Sequence, residues 1–185
     1  MRVIAGKAKA RSLKWPKEPH IRPTAGLIRE AVFSSLESIS VDWNQVLDLY
    51  AGTGALGIEA LSRGAEAVDF VEKNPKCCSI IRENLKTTGF SKQANVYRLE
   101  AKKALLTLKK HYSLVFLDPP YFDHDGQSIL QELATSGLVG DRATIVLEHS
   151  HKLQPEATCG NFVMTKSLHH GDTCVSIFQW GFFKN

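Results

Sequence analysis

The chain has 185 residues, 43% hydrophobic and 23% charged, a balance that fits one globular domain and excludes a disordered or fibrous chain. No apolar run approaches the roughly 18–20 residues of a bilayer-spanning helix, and the opening Met1-Arg2-Val3-Ile4-Ala5-Gly6-Lys7 lacks the apolar stretch of a signal peptide. Net charge is only +4, yet residues 1–22 hold seven Lys and Arg against Glu18 alone, so the remainder is net negative by two.

That basic segment carries Arg2, Lys7, Lys9, Arg11, Lys14, Lys17 and Arg22, interrupted by Val3, Ile4, Leu13 and Trp15, with Gly6 able to turn the chain. The pattern predicts a short basic hairpin, suited either to a solvated tail or to a phosphate-binding arm. Residues 24–38 read as a helix capped by Thr24, with Leu27, Ile28, Ala31, Val32, Ser35 and Leu36 as its apolar stripe. Strands over 46–50, 67–71, 95–99, 113–117 and 143–147 then alternate with helices over 56–63, 75–88, 102–110 and 127–136. Pro75 suits a first helical turn and Gly89 a helix stop. Residues 162–168 and 173–180 alternate in strand fashion around Gly171-Asp172, which predicts a hairpin. The expected fold is α/β: a doubly wound, mostly parallel sheet covered on both faces, ending in an antiparallel hairpin. Residues 1–40 form a basic hairpin and helix extension, and 41–185 the main domain.

After the first strand of the alternating region comes Asp48-Leu49-Tyr50-Ala51-Gly52-Thr53-Gly54-Ala55-Leu56-Gly57. Gly52, Gly54 and Gly57 fit a G-x-G-x-x-G turn that follows a strand and opens a helix. Such a turn brings backbone N–H groups close to a ligand. Asp48 would repel a pyrophosphate but could accept a hydrogen bond from a ligand ammonium. S-adenosylmethionine has an ammonium and no phosphate. A local turn cap is the plainer alternative for Asp48. Glu72, followed by Lys73, ends the next strand, where a carboxylate can accept both ribose hydroxyls of an adenosine. Glu100-Ala101 lies beyond the third, where adenosyl ligands commonly sit.

Asp118-Pro119-Pro120-Tyr121 is the most specific signal and ends the fourth strand, on the edge where doubly wound sheets bind ligands. An exocyclic base amine is a poor nucleophile because its lone pair conjugates with the ring. The Asp118 carboxylate and the Pro119 carbonyl can each accept one of its N–H bonds, pre-organised by proline's fixed φ. Tyr121 can stack on the target base, aided by Phe122. The cysteines Cys77, Cys78, Cys159 and Cys174 make no Cys-x-x-Cys pair, so a reduced, cytoplasmic chain without zinc is expected. His149, His151, His169 and His170 read as surface or packing residues rather than metal ligands.

Arg2-Val3-Ile4-Ala5-Gly6, Arg22-Pro23-Thr24, Arg29-Glu30, the run from Asp48 through Gly57 to Ala65, and Asp118-Pro119-Pro120-Tyr121 together resemble the bacterial RsmD family of 16S ribosomal RNA guanine-N(2) methyltransferases. The likeness covers nearly the whole chain in order and spacing. It implies a class I S-adenosylmethionine-dependent methyltransferase fold with a small N-terminal extension, and 16S ribosomal RNA, free or in a small subunit, as substrate. Nothing in the chain requires more than a monomer. By position, Asp48, Gly52 and Gly54 would line the methionine end of the cofactor, and Tyr50, Ala51 and Thr53 of the same turn would also bind the cofactor. Glu72 would hold the ribose and Glu100 would lie at the adenine, with Lys73 and Ala101 beside them also binding the cofactor. Asp118, Pro119, Pro120 and Tyr121 would position the guanine amine. Arg2, Lys7, Lys9, Arg11, Arg22 and Arg29 would contact RNA. Glu100 departs from the family's usual Asp or Asn, and the segment after Pro155 matches only loosely.

Three rivals remain at this level. A DNA amino-methyltransferase shares the Asp-Pro-Pro-Tyr chemistry but usually adds a sizeable target-recognition region. A nicotinamide oxidoreductase is disfavoured by Asp48. A non-enzymatic RNA-binding assembly factor would have no need of Asp118.

Overall fold

A computed structural model of the protein describes residues 1–16, 26–119 and 125–181. Helix α1 spans Gly26–Ser38 and leads to strand β1, Gln45–Asp48. There follow α2 (Ala55–Arg63), β2 (Ala67–Val71), α3 (Pro75–Thr88), a 3-10 turn (Ser91–Gln93), β3 (Ala94–Tyr97), α4 (Ala101–Thr107), β4 (Tyr112–Leu117) and α5 (Asp125–Ala134). Strands β5 (Val139–Ser150), β6 (Thr158–Cys159), β7 (Phe162–His170) and β8 (Thr173–Trp180) complete the chain. One sheet runs β3-β2-β1-β4-β5-β8-β7-β6. The first five strands in that order are parallel, and β8, β7 and β6 add on antiparallel.

The parallel strands are buried on both sides, so their side chains alternate between two apolar layers. Val46, Leu114 and Phe116 join α1, α2, α3 and the N-terminal segment on one face. Leu47, Val115 and Leu117 join α4 and α5 on the other. Helix bounds follow local chemistry. Pro75 opens α3, the Asn74 side chain accepts the Lys76 N–H at 2.8 Å, and Gly89 ends the helix in the left-handed region.

The basic N-terminal segment does double back. Val3 donates to the Arg11 carbonyl at 3.0 Å, Leu13 to that of Met1 at 2.9 Å, and Gly6 turns at φ 77°. This arm is docked onto α2 by buried polar groups. The Glu59 carboxylate accepts the Ile4 N–H at 2.8 Å and the Ala5 N–H at 2.9 Å, and the Ser62 hydroxyl accepts from Ala8. A Cβ on Gly6 would fall 1.8 Å from the Ser62 carbonyl oxygen, so only glycine permits this approach.

Several expectations need correction. Helix α1 faces the core with Ile28, Arg29, Val32, Phe33, Ser35 and Leu36, whereas Leu27 and Ala31 are exposed. Phe33 replaces them because it fills the space between Trp43 and Phe116 under the Arg63 guanidinium. The Thr24 cap lies outside the described residues. Strand β5 runs far longer than 143–147: pairing with β8 from Thr144 carries it on to Ser150, and Val139 at its start pairs with Tyr112 of β4. Strand β6 has no counterpart among the strands expected from sequence.

Candidate active site

Strand order reverses around β1, whose neighbours β2 and β4 are reached in opposite directions along the sheet, and a doubly wound sheet opens a ligand crevice at such a point. The turn after β1, the corner after β2 and the Asp118 turn after β4 all lie at the carboxyl ends of neighbouring strands. Thus Asp48, Gly52, Glu72 and Asp118 share one edge although they span 71 positions of sequence. Backbone bonds hold that edge: Leu49 donates to the Phe116 carbonyl and Ala51 to that of Val71, both at 3.0 Å.

Asp48 is buried at the base of the turn, where its carboxylate accepts the Gly57 N–H at 3.0 Å. The local cap is therefore a real part of its role. Burial raises its pKa to about 7 against the pull of that N–H, and the nearby Glu72 charge adds to the rise. A carboxyl so poised gains from a cation placed nearby. Gly52 and Gly54 have φ 53° and 80°, and a Cβ on Gly52 would meet nothing within 4 Å, so the turn faces open space. Gly57 serves packing instead, since its Cβ would lie 2.3 Å from the Phe70 ring. Thr53 is buried and its hydroxyl has no partner among the described residues. Tyr50 is half-buried and Ala51 buried at the same turn.

Glu72 is half-buried and spans two elements. One of its oxygens accepts the Gly52 N–H at 2.9 Å and the other the Asn74 N–H at 2.7 Å. Lys73 beside it is exposed. Glu100 stands at the N-terminus of α4 with an exposed side chain that makes no cap hydrogen bond, and Ala101 is buried beneath it. Asp118 is half-buried, and Pro119 is buried against the start of α5, where a Cβ on Gly126 would lie 3.5 Å from its ring. Pro120, Tyr121 and Phe122 lie outside the described residues, as do Arg22 and Pro23.

Arg2, Lys7, Lys9 and Arg11 are exposed on the arm. Arg29 is not available to RNA. It is 2% exposed, and its guanidinium donates to the Arg2 carbonyl and to the Met1 sulfur. It is a buried anchor for the arm, because α1 carries it inward beneath the chain's first residues. All four cysteines are buried, and no cluster of three or more metal-ligating side chains occurs among the described residues. His149 packs inside with its Nε2 3.0 Å from the Ser176 hydroxyl.

A buried carboxyl that gains from a nearby cation, an open glycine turn with an orphaned hydroxyl, and a carboxylate at the next strand end fit S-adenosylmethionine. The fold and site define a class I S-adenosylmethionine-dependent methyltransferase. The chain belongs to the family described as Conserved hypothetical protein 95, whose model matches residues 1–179, the family of the RsmD proteins. It is 34% identical over 179 residues to the ribosomal RNA small subunit methyltransferase D of Escherichia coli (strain K12), covering 97% of this chain and 89% of that one. It is 37% identical over 182 residues to YlbH of Bacillus subtilis (strain 168), covering 97% and 98%. The solved structure of yhhF from Escherichia coli superposes with a TM-score of 0.85 at 30% identity over 97% of both chains.

Two further residues give no sign of their partners in the sequence. Asn84 on α3 joins the arm to the turn with partners 70 and 31 positions away, and Glu59, although it lies within the motif run that follows Asp48, holds the arm through partners 54 to 55 positions away.

Proposed function

We propose that the protein transfers a methyl group from S-adenosylmethionine to the exocyclic N2 amine of a guanine in small-subunit ribosomal RNA. The observation that carries this reading is the meeting of Asp48, the Gly52–Gly54 turn, Glu72 and Asp118 along one sheet edge. The names of the relatives supply the RNA class.

The bound cofactor would supply an electrophilic sulfonium methyl. Asp48 and the glycine turn would hold its amino-acid end and Glu72 its ribose. The Asp118 carboxylate and the Pro119 carbonyl accept the two N–H bonds of the guanine amine. That turns its lone pair out of conjugation and toward the methyl, so rate comes from positioning and charge rather than from a covalent enzyme intermediate. The Asp118 carboxylate then takes up the surplus proton of the methylated nitrogen. Tyr121 supplies a stacking face for a base drawn out of its stack. Arg2, Lys7, Lys9 and Arg11 supply phosphate contacts, and the protein works as a monomer in the cytoplasm.

Protein mixed with tritiated S-adenosylmethionine and unmethylated small subunits should label the RNA. Asp118→Ala should abolish that label while the variant still binds S-adenosylhomocysteine. A folded Asp118→Ala variant that has lost cofactor-product binding contradicts the division of labour.

A further inference from the structure

The arm and the glycine turn share one side chain. Asn84 of α3 is fully buried. Its Oδ1 accepts the Lys14 N–H at 2.7 Å, and its Nδ2 donates to the Lys14 carbonyl at 3.2 Å and to the Thr53 carbonyl at 3.0 Å. One planar amide therefore fixes the end of the arm and the middle of the turn together. The rest of the arm grips the same two helices. Glu59 and Ser62 hold it on α2, the helix that the turn opens, and Lys14 pairs with Glu83 on α3. The arm thus spans both helices that flank the turn. Its cationic side chains Arg2, Lys7, Lys9 and Arg11 are exposed to solvent.

We infer that Asn84 is a positioning residue through which RNA held on the arm strengthens cofactor binding at the glycine turn. RNA seated on the outer face adds contacts to an arm already docked on α2 and α3 and restrains it further. The Lys14 backbone then holds the Asn84 amide, and the amide holds the Thr53 carbonyl between two glycines in the left-handed region. A cofactor arriving at an already ordered turn loses less conformational freedom, and by linkage the cofactor tightens RNA binding equally. This inference rests on the methyltransferase reading above.

The experiment measures S-adenosylhomocysteine affinity with and without unmethylated 16S ribosomal RNA, in wild type and in Asn84→Asp. The Asp keeps an acceptor for the Lys14 N–H and lacks the amino group that holds Thr53. RNA should tighten product binding in wild type on the order of fivefold or more. In Asn84→Asp that ratio should fall to near one while product and RNA each still bind separately. A residue that merely stabilised the fold would weaken product binding to the same degree with and without RNA, leaving the ratio intact. Should the buried charge of Asn84→Asp unfold the protein, Asn84→Ser, which is too short to reach both partners, gives the same reading. An unchanged ratio in either folded variant overturns the inference, as does a wild type that binds product with no RNA effect. A wild type that binds no S-adenosylhomocysteine overturns the methyltransferase reading itself.

Discussion

Glu72 accepts the Gly52 N–H at 2.9 Å, tying the corner after β2 to the glycine turn after β1. The carboxylate proposed to hold the ribose is thus also a strut of the turn that would hold the amino-acid end of the same ligand. Each half of the cradle depends on the other.

Glu72→Gln removes the charge and places an amino group against either Gly52 or Asn74, both of which are donors. Hydrogen bonds to charged groups contribute roughly 1.5–3 kcal/mol, so S-adenosylhomocysteine affinity should fall on the order of 10- to 100-fold. Isothermal titration checks this, and an affinity within about twofold of wild type removes Glu72 from the site.

Asp48 sets a pH dependence with a definite sign. Its folded pKa of about 7 lies above the ordinary value of 3.8, so the native state binds the extra proton between those values. Its contribution to stability is therefore full below pH 3.8 and is lost as pH rises through about 7. A ligand ammonium prefers the ionised form, so S-adenosylhomocysteine should bind more tightly at about pH 8 than at about pH 6, with proton release in between. Asp48→Asn should flatten that profile across the same range. A profile in Asp48→Asn as steep as that of wild type would sink the assignment.

Gly57 and Gly52 should respond differently to alanine. Gly57→Ala drives a methyl into the Phe70 ring and should cost about 1–3 kcal/mol of stability, read as a lowered Tm. Gly52→Ala meets no neighbour and strains only the backbone, by about 1–2 kcal/mol, but it occupies space facing the crevice. It should lower product affinity more than it lowers Tm.

Charge reversal at Lys7, Lys9 and Arg11 should weaken RNA binding and flatten its salt dependence, by roughly 0.7–0.9 in the log–log slope for each phosphate no longer neutralised. Product affinity without RNA should stay at the wild-type value. Arg29→Ala should instead lower Tm, since the buried guanidinium holds Met1 and Arg2. A salt slope unchanged by the triple variant would contradict the arm's role.

Much of the fold is legible in the sequence where local chemistry decides. Residues 67–71, 75–88 and 173–180 carry their strand or helix over the expected bounds, because proline, glycine and alternation mark the ends. The positions of Asp48, Gly52, Glu72 and Asp118 at strand ends follow from the same alternation. What stays hidden depends on partners far along the chain. Nothing near Arg29 says that it turns inward to hold Arg2, 27 positions earlier. Nothing near Val139 says that β5 extends for 12 residues, because its later half is set by pairing with β8. The reach of Asn84 to Lys14 and Thr53 is a product of packing alone.

The most direct measurement is methyl transfer from tritiated S-adenosylmethionine to three acceptors in parallel: unmethylated small ribosomal subunits, naked 16S ribosomal RNA and duplex DNA. Label is expected in ribosomal RNA, recovered as guanine methylated on its exocyclic amine, and none in DNA. Label in DNA alone, or none in any acceptor by a protein that binds S-adenosylhomocysteine, would overturn the ribosomal RNA methyltransferase reading.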